Sequence, residues 1–327
     1  MSSETQESWA ITRWDGVKSP HYEVYYIKGN LPQEKVSFWL RYTLHIPLSG
    51  EKSGALWAII VDDKNDLHLA SKKSFPITDI KFEKTRFQLN IKDMFICSNG
   101  ASGLVETPKI KWDLEWKSDT RLFKYYPYNF MYTSSWPKTK VVTPYENLFF
   151  SGTIETEKKT IDVSKAKGQL GHIWGFSHAK EWVWAHTNLF NEREDIVFEG
   201  LSAKPKSTTQ QPLSLFYLSI PGELEFIYNG LMKMKKARST YDLTSWQFRA
   251  EQKGTIIEGN IQTTPDKMSG VTYIDTDNSK RYCHNTKIAN MELKVITKNG
   301  EKKFISNETT AFEYVSTMAN TKVLFVI

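Results

Sequence analysis

An all-β protein built from two antiparallel barrels is the fold that this 327-residue sequence predicts. Three observations carry the prediction. Apolar residues recur with period two in segment after segment, as half-buried strands require. Turn residues separate those segments at short intervals, with almost no helical stripe between them. Aromatic residues make up 13% of the chain and gather on single faces of the strands, where a barrel interior takes them. The length fits two domains of ordinary size better than one.

The first strand is expected over 21–27 (HYEVYYI), closed by Gly29 and Pro32. Over 36–46 the alternation is strict. Val36, Phe38, Leu40, Tyr42, Leu44 and Ile46 form a core face, and the other face mixes Trp39, Arg41 and His45. Residues 55–61 (ALWAIIV) run apolar without a break, as in a strand covered on both sides. Strands follow over 82–91 and 109–117, with a glycine-rich turn at 99–103 between them. The tract 125–144 combines aromatics with three prolines and reads as a loop over a barrel mouth, suited to a lid. A strand over 147–156 precedes the charged stretch 157–167, which divides the chain into domains 1–164 and 165–327.

Chemistry is densest in 167–190, KGQLGHIWGFSHAKEWVWAHTNLF, which holds three of the seven histidines and three of the eleven tryptophans. Alternation places His172 and Trp174 on one face, and Trp182, Trp184 and His186 on one face of the next strand. The spacing predicts a hairpin turning over 175–180, its Trp and His face inward and Glu181, Val183 and Ala185 outward. Beyond it, strands are expected over 195–203, 213–220, 223–228, 244–250, 255–263, 270–275, 289–297, 302–306 and 323–327. Residues 229–239 are the one helical candidate, and Asn299-Gly300 signals a tight hairpin.

The net charge of +6 is spread among interleaved lysines and acids, without the basic stripe or motif of a nucleic-acid binder. The densest basic run, Lys233, Lys235, Lys236 and Arg238, reads as a solvated face. Cys97 and Cys283 lack any zinc or redox spacing, which fits two free thiols and leaves a single bridge open. No apolar run is long enough for an integral membrane segment, and the N-terminus has no signal-like h-region, so a cytoplasmic location is expected. Oligomeric state is left open.

At the central segment, Gly171-His172-x-Trp174-Gly175 followed by Trp182-x-Trp184 resembles the signature region of a lipocalin-like superfamily. That group includes carotenoid 1,2-hydratases (hydroxyneurosporene synthases), AttH-like proteins and tocopherol cyclase-like proteins. Stretches 38–43 (FWLRYT), 56–60 (LWAII) and 285–292 (NTKIANME) look like an uncharacterised branch of the same group. The resemblance implies two consecutive lipocalin-like antiparallel β-barrels and a pocket for an isoprenoid or polycyclic molecule. One departure matters: hydratase and AttH-like members resemble Asp-x-Glu-Trp in the run where this chain has Gly171, His172, Ile173 and Trp174. Both carboxylates are missing there, and histidine is a weak acid for protonating an alkene.

His172, which shares the inward face with Trp174 just before the glycine that turns the hairpin, is the candidate catalytic residue. Trp174, His178, Trp182, Trp184, His186, Trp39 and Arg41 are the candidate ligand-binding residues. The spacing of His172, His178 and His186 matches no zinc signature, and no metal is expected. Nucleophile-elbow, phosphate-loop and dinucleotide motifs are missing, so no cofactor is expected. The adjacent Cys283 and His284 point to opposite faces of a strand and are read as structural. The function that follows is binding of a hydrophobic small molecule in an aromatic-lined barrel, with cofactor-free cyclase, isomerase or hydratase chemistry open to it. The alternative is a non-enzymatic interaction or structural protein whose barrels are filled.

Overall fold

The computed structural model describes residues 5–206 and 211–326. Its two large sheets are antiparallel, and each curls into a lipocalin-like barrel. Neighbour to neighbour, the first sheet runs Leu67–Pro76, Ser53–Asp62, Val36–Ile46, His21–Leu31, Lys167–Gly175, Thr139–Thr156, Lys109–Ser118, Gly100–Glu106, Met94–Cys97, Gln88–Ile91 and Ile80–Phe82. The second runs Leu224–Tyr228, Leu213–Ile220, Val197–Lys204, Glu181–Thr187, Gly300–Ser316, Lys280–Thr297, Thr255–Gln262, Ser245–Gln252 and Arg238–Tyr241, with Ser269–Ile274 paired to Lys280–Thr297.

The period-two pattern decides what fills each barrel. Phe38, Leu40, Tyr42, Leu44 and Ile46 point into the first interior, where Tyr25, Ile27, Trp112, Leu114 and Phe150 meet them. The Trp112 indole donates to the Tyr42 hydroxyl at 2.7 Å, and that hydroxyl donates to the Ser102 carbonyl at 2.8 Å, so neither polar group is left unpaired in this core. In the second interior Phe248 stacks on Phe216 at 4.6 Å and on Phe198 at 5.3 Å, beside Trp246. Each buried aromatic or aliphatic side chain of this kind contributes about 1.5–3 kcal/mol.

Several expectations are corrected. The segment 167–190 is not a hairpin. Lys167–Gly175 pairs with His21–Leu31 and Thr139–Thr156 in the first sheet, while Glu181–Thr187 pairs with Val197–Lys204 and Gly300–Ser316 in the second. Gly175 ends the first strand at φ +155°, where a Cβ would stand 2.2 Å from the Lys138 carbonyl oxygen, and residues 176–180 carry the chain between sheets. A division after residue 164 gives to the second half a strand that is hydrogen-bonded within the first sheet. The faces of the second strand are also reversed: Val183 and Ala185 enter the second core, and Trp184 and His186 point out of it. Residues 229–237 form turns, not a helix, and Arg238–Tyr241 is a strand. Of the strand expected over 323–327, Ile327 lies outside the described residues, and the rest makes one bridge, Phe325 to Gly270. The strand Leu67–Pro76 has no clear period-two signature, because lysines and serines break up its apolar face. The hairpin at 297–300 exists, with Thr297 paired to Gly300 and Lys298-Asn299 as its loop.

Candidate functional site

Where a lone barrel would show its outer strand faces to water, these two barrels turn them on each other. The outer positions Tyr22, Val24, Tyr26, Trp39, Trp57 and Ile59 of the first barrel pack against Trp184, Val271, Tyr273, Cys283 and Val315 of the second. Period-two strands that place apolar residues inside must place their polar alternates outside. Here the outside is the buried layer between barrels, which accordingly contains Lys28, Asn30, Arg41, Gln169, His186, Glu199 and Lys287, all almost fully sequestered from solvent.

Two irregular strands bring further charge to this layer. Thr139–Thr156 shifts register on both sides of Tyr145, next to Pro144, which has no N–H to give the ladder. The shift turns Glu146 toward the second barrel. Lys280–Thr297 shifts register between Thr286 and Met291 and so presents Lys287 to the same layer. Irregularities of this kind re-aim side chains and are concentrated near functional sites.

The carboxylates Glu146 and Glu199 form the heart of the layer. Glu199 Oε1 accepts from the Trp184 indole at 2.8 Å and from Gln169 Nε2 at 3.2 Å, and the same amide donates to the Tyr26 hydroxyl at 3.2 Å. Tyr26 stands edge-on to Trp184 at 5.5 Å. Glu146 has neither carboxylate oxygen in a hydrogen bond, and Glu199 Oε2, the Tyr125 hydroxyl and the Thr143 hydroxyl beside it are also unpartnered. Burial, followed by the charge of Glu199, raises the Glu146 pKa well above the ordinary carboxyl value, which favours its protonated form. His186 Nε2 donates to the Glu146 carbonyl at 3.1 Å, with the Glu146 carboxylate farther away at 3.6 Å. That leaves His186 Nδ1 as an unpartnered acceptor, and burial holds its imidazole neutral.

Two lysines flank the carboxylates. Lys28 donates to Asn30 Oδ1 at 3.3 Å, and burial, reinforced by Lys287, pushes its pKa down to about 7. Lys287 is anchored by Asn285 and stands 3.5 Å from Glu313, its ammonium over the rings of Trp39 and Trp184 at 5.7 and 5.6 Å. Arg41 lies in the same layer, caged by Tyr273 at 4.0 Å, Trp57 at 5.4 Å and Trp39 at 5.8 Å, with Nε and Nη1 unpartnered.

The structure thus gathers Trp39, Arg41, Trp182, Trp184 and His186 between the barrels, outside both interiors. His178 lies at the edge of the layer, stacked on Tyr22 at 4.1 Å and 3.1 Å from Asp275. His172 and Trp174 are elsewhere, at one end of the first barrel. There His172 Nδ1 meets the Trp9 carbonyl at 2.7 Å and Nε2 meets Glu23 at 2.8 Å, so neither nitrogen is free for a ligand. No single cavity can be lined by His172 and Trp184, which occupy different compartments. Sequence reasoning missed Lys28, Glu146, Glu199 and Lys287; of these only Glu199 carries a plain signal, a lone charge in the apolar run IVFEGL over 196–201.

The sequence profile of the tocopherol cyclase-like family matches residues 82–317, well over half of the chain. The chain belongs to the tocopherol cyclase-like family. Two uncharacterised proteins from strains of Mycobacterium tuberculosis are 24% identical to this tocopherol cyclase-like chain over 189 residues, a match covering 58% of it and 56% of each of them. A putative AttH of Nitrosomonas europaea shares the fold with TM-score 0.59 at 9% identity, over 94% of this chain and 99% of that one. Kievitone hydratase of Nectria haematococca follows with TM-score 0.54 at 8% identity, over 96% of both chains. The structure of CghA with Sch210972 gives TM-score 0.55 at 10% identity, over 91% of this chain and 89% of that one. At such low identity these TM-scores show a common fold for the tocopherol cyclase-like chain and the three solved structures. Among the described residues, no helix is long and apolar enough to cross a membrane, and no cluster of three or more metal-ligating side chains occurs.

Proposed function

We propose that this protein binds an apolar isoprenoid or polycyclic molecule in the layer between its barrels and moves a proton there, in a cyclisation, isomerisation or hydration. The observation that carries this reading is Glu146: a fully buried carboxyl with neither oxygen in a hydrogen bond, its pKa raised by burial and by the second carboxylate beside it, in a layer lined by aromatic rings. A neutral carboxylic acid in an apolar site is the acid that a histidine motif lacks. The names of the family and of one structural neighbour, a cyclase and a hydratase, support the reaction class.

In the proposed step the Glu146 carboxyl gives its proton to an alkene or enol carbon of the substrate. The cation that forms faces Trp184, Trp39 and Tyr26, whose ring faces favour positive charge. Ring closure or attack by water quenches the cation, and the proton then released returns to Glu146, so the cycle balances without a redox partner. Glu199 stays fixed by Trp184 and Gln169, and its charge keeps the Glu146 proton in place until substrate arrives. Arg41, with two unpartnered guanidinium nitrogens, suits a carboxylate or phosphate on the substrate.

The competing reading, a protein without a ligand, draws on the solid packing of both barrel interiors. Native mass spectrometry of protein recovered gently from its own cells separates the two. An apolar adduct that persists in wild type and is lost in Trp184→Ala supports the site. No adduct, together with no thermal shift from a panel of prenylated phenols and polyenes, would leave the filled-barrel reading standing.

A further inference from the structure

Two adjoining loops combine features that occur together nowhere else among the described residues. The first, 125–138, exposes Tyr128, Phe130 and Trp136, which are 53%, 56% and 55% accessible. These are three of the four exposed large aromatic side chains among the described residues. They are not displayed by a slack loop: Met131 and Tyr132 of the short helix Phe130–Thr133 are buried, and Tyr132 packs against Trp9 at 4.9 Å. Tyr128 and Phe130 stack on each other at 5.8 Å and point outward as a pair.

The second loop, 229–237, exposes Leu231 and Met232, the latter 81% accessible. It is joined to the root of the first. Asn229 Nδ2 donates to the Lys124 carbonyl at 2.9 Å, and Met234 shares a buried cluster with Phe123 and Tyr125. Charge follows the same boundary. Segments 120–145 and 229–241 contain eight basic residues and no acidic one, against +6 for the whole chain, so the rest of the molecule is net acidic. Lys138, Lys235, Lys236 and Arg238 are exposed and make no ion pair among the described residues.

We propose that this pair of loops docks on an anionic bilayer surface, with Tyr128, Phe130, Trp136 and Met232 entering the headgroup region and the exposed lysines meeting lipid phosphates. Aromatic rings with one polar edge partition to that depth, and each basic residue near an anionic surface adds to the attraction. Rings and cations occur together here, whereas a solvated basic loop would carry the cations alone. The docking stands on these loops whether or not the layer between the barrels is catalytic. Tyr125, at the root of the first loop, is buried within electrostatic reach of Glu199 and Glu146, so an apolar molecule leaving the bilayer here would start near the buried carboxylates.

Co-sedimentation with vesicles of phosphatidylcholine, with and without phosphatidylglycerol, tests the proposal. Wild type should bind the anionic vesicles and be released by salt. Phe130→Ser with Trp136→Ser, and separately Lys235→Glu with Lys236→Glu, should each weaken binding by about tenfold while leaving the melting temperature unchanged, because all four side chains are exposed. A blue shift of the tryptophan emission on vesicles, lost in Trp136→Phe, would place that ring in the lipid. Wild type remaining unbound with both vesicles, or variants that bind as wild type does, would overturn the proposal. So would tight binding to a single-stranded oligonucleotide, lost in the lysine variant, from a protein that ignores vesicles.

Discussion

The Trp184 indole donates to Glu199 at 2.8 Å, and that bond separates the roles of two neighbouring buried carboxylates. Glu199 receives two side-chain donors, and Glu146 receives none. The unsupported member of such a pair keeps its proton.

Replacing Glu146 by glutamine should therefore abolish proton transfer and leave the fold intact. It should also change how stability depends on pH. A folded pKa raised above the ordinary 4.5 means that the stability this group contributes is fully present below pH 4.5 and is lost as pH rises through the raised value. Glutamine does not ionise, so Glu146→Gln should match wild type below pH 4.5 and become more stable than wild type, by about 1–3 kcal/mol, as pH rises from there through the raised value. Thermal melts of both proteins across that range check it; parallel curves would show that Glu146 is charged in the folded protein.

Lys28 behaves with the opposite slope. Its pKa falls from 10.5 to about 7 in the folded chain, chiefly by burial and then by Lys287, with Glu199 and Glu146 opposing. The unfolded chain holds the Lys28 proton more tightly, so this group costs most at and below pH 7, and the cost fades as pH rises toward 10.5. Lys28→Met should raise stability near pH 7 by about 1–4 kcal/mol and flatten the rise in melting temperature on the alkaline side. A methionine variant less stable than wild type at that pH would mean that the amine is charged and well paired.

The strand Val36–Ile46 was legible because its two faces differ in every residue, and its bounds match the alternation. What its second face meets was not legible, since Trp39 and Arg41 find their partners in Trp184 and Tyr273, far along the chain and in another barrel. The same limit misplaced His172 and Trp184 on one hairpin: their spacing suits a two-strand turn, but which sheet each strand joins depends on pairings with His21–Leu31 and Gly300–Ser316. The run 229–239 has helical composition, yet Gly230 opens it and the Tyr228 hydroxyl ties down the Lys233 carbonyl, which holds it as turns. Glu146 was hidden because a register shift aims it, and register shifts leave little trace in hydrophobic periodicity.

His172 should prove to be a structural residue. Its two nitrogens join the Trp9 carbonyl to Glu23, and Glu23 also accepts from the backbone of Arg13 and Trp14, from Tyr25 and from His21. Burial disfavours the Glu23 carboxylate, but the bonds from His172 and His21 outweigh it and hold its pKa low. This knot fastens the N-terminal segment to the first barrel. His172→Gln should cost about 1–3 kcal/mol and speed hydrogen exchange over residues 6–14, with ligand affinity unchanged. Weakened ligand binding at unchanged stability would return His172 to the site.

The last prediction concerns Gly171, where the Tyr26 ring lies flat on the strand Lys167–Gly175. A Cβ at Gly171 would stand 2.2 Å from Tyr26 Cζ, well inside contact distance, so alanine must push the ring away. The backbone there is ordinary strand, paired across to Tyr26 itself, and Ala is acceptable to it. Displacement of the ring breaks the bond from Gln169 to the Tyr26 hydroxyl and the edge contact with Trp184, and so disturbs the two side chains that donate to Glu199. Gly171→Ala should therefore keep a cooperative melt, about 1–3 kcal/mol below wild type, while losing more turnover or ligand affinity than His172→Gln does. The comparison decides between the two compartments, since both residues sit on one strand and differ in the face they serve. If Gly171→Ala leaves binding intact and His172→Gln destroys it, the site lies inside the first barrel and not between the barrels.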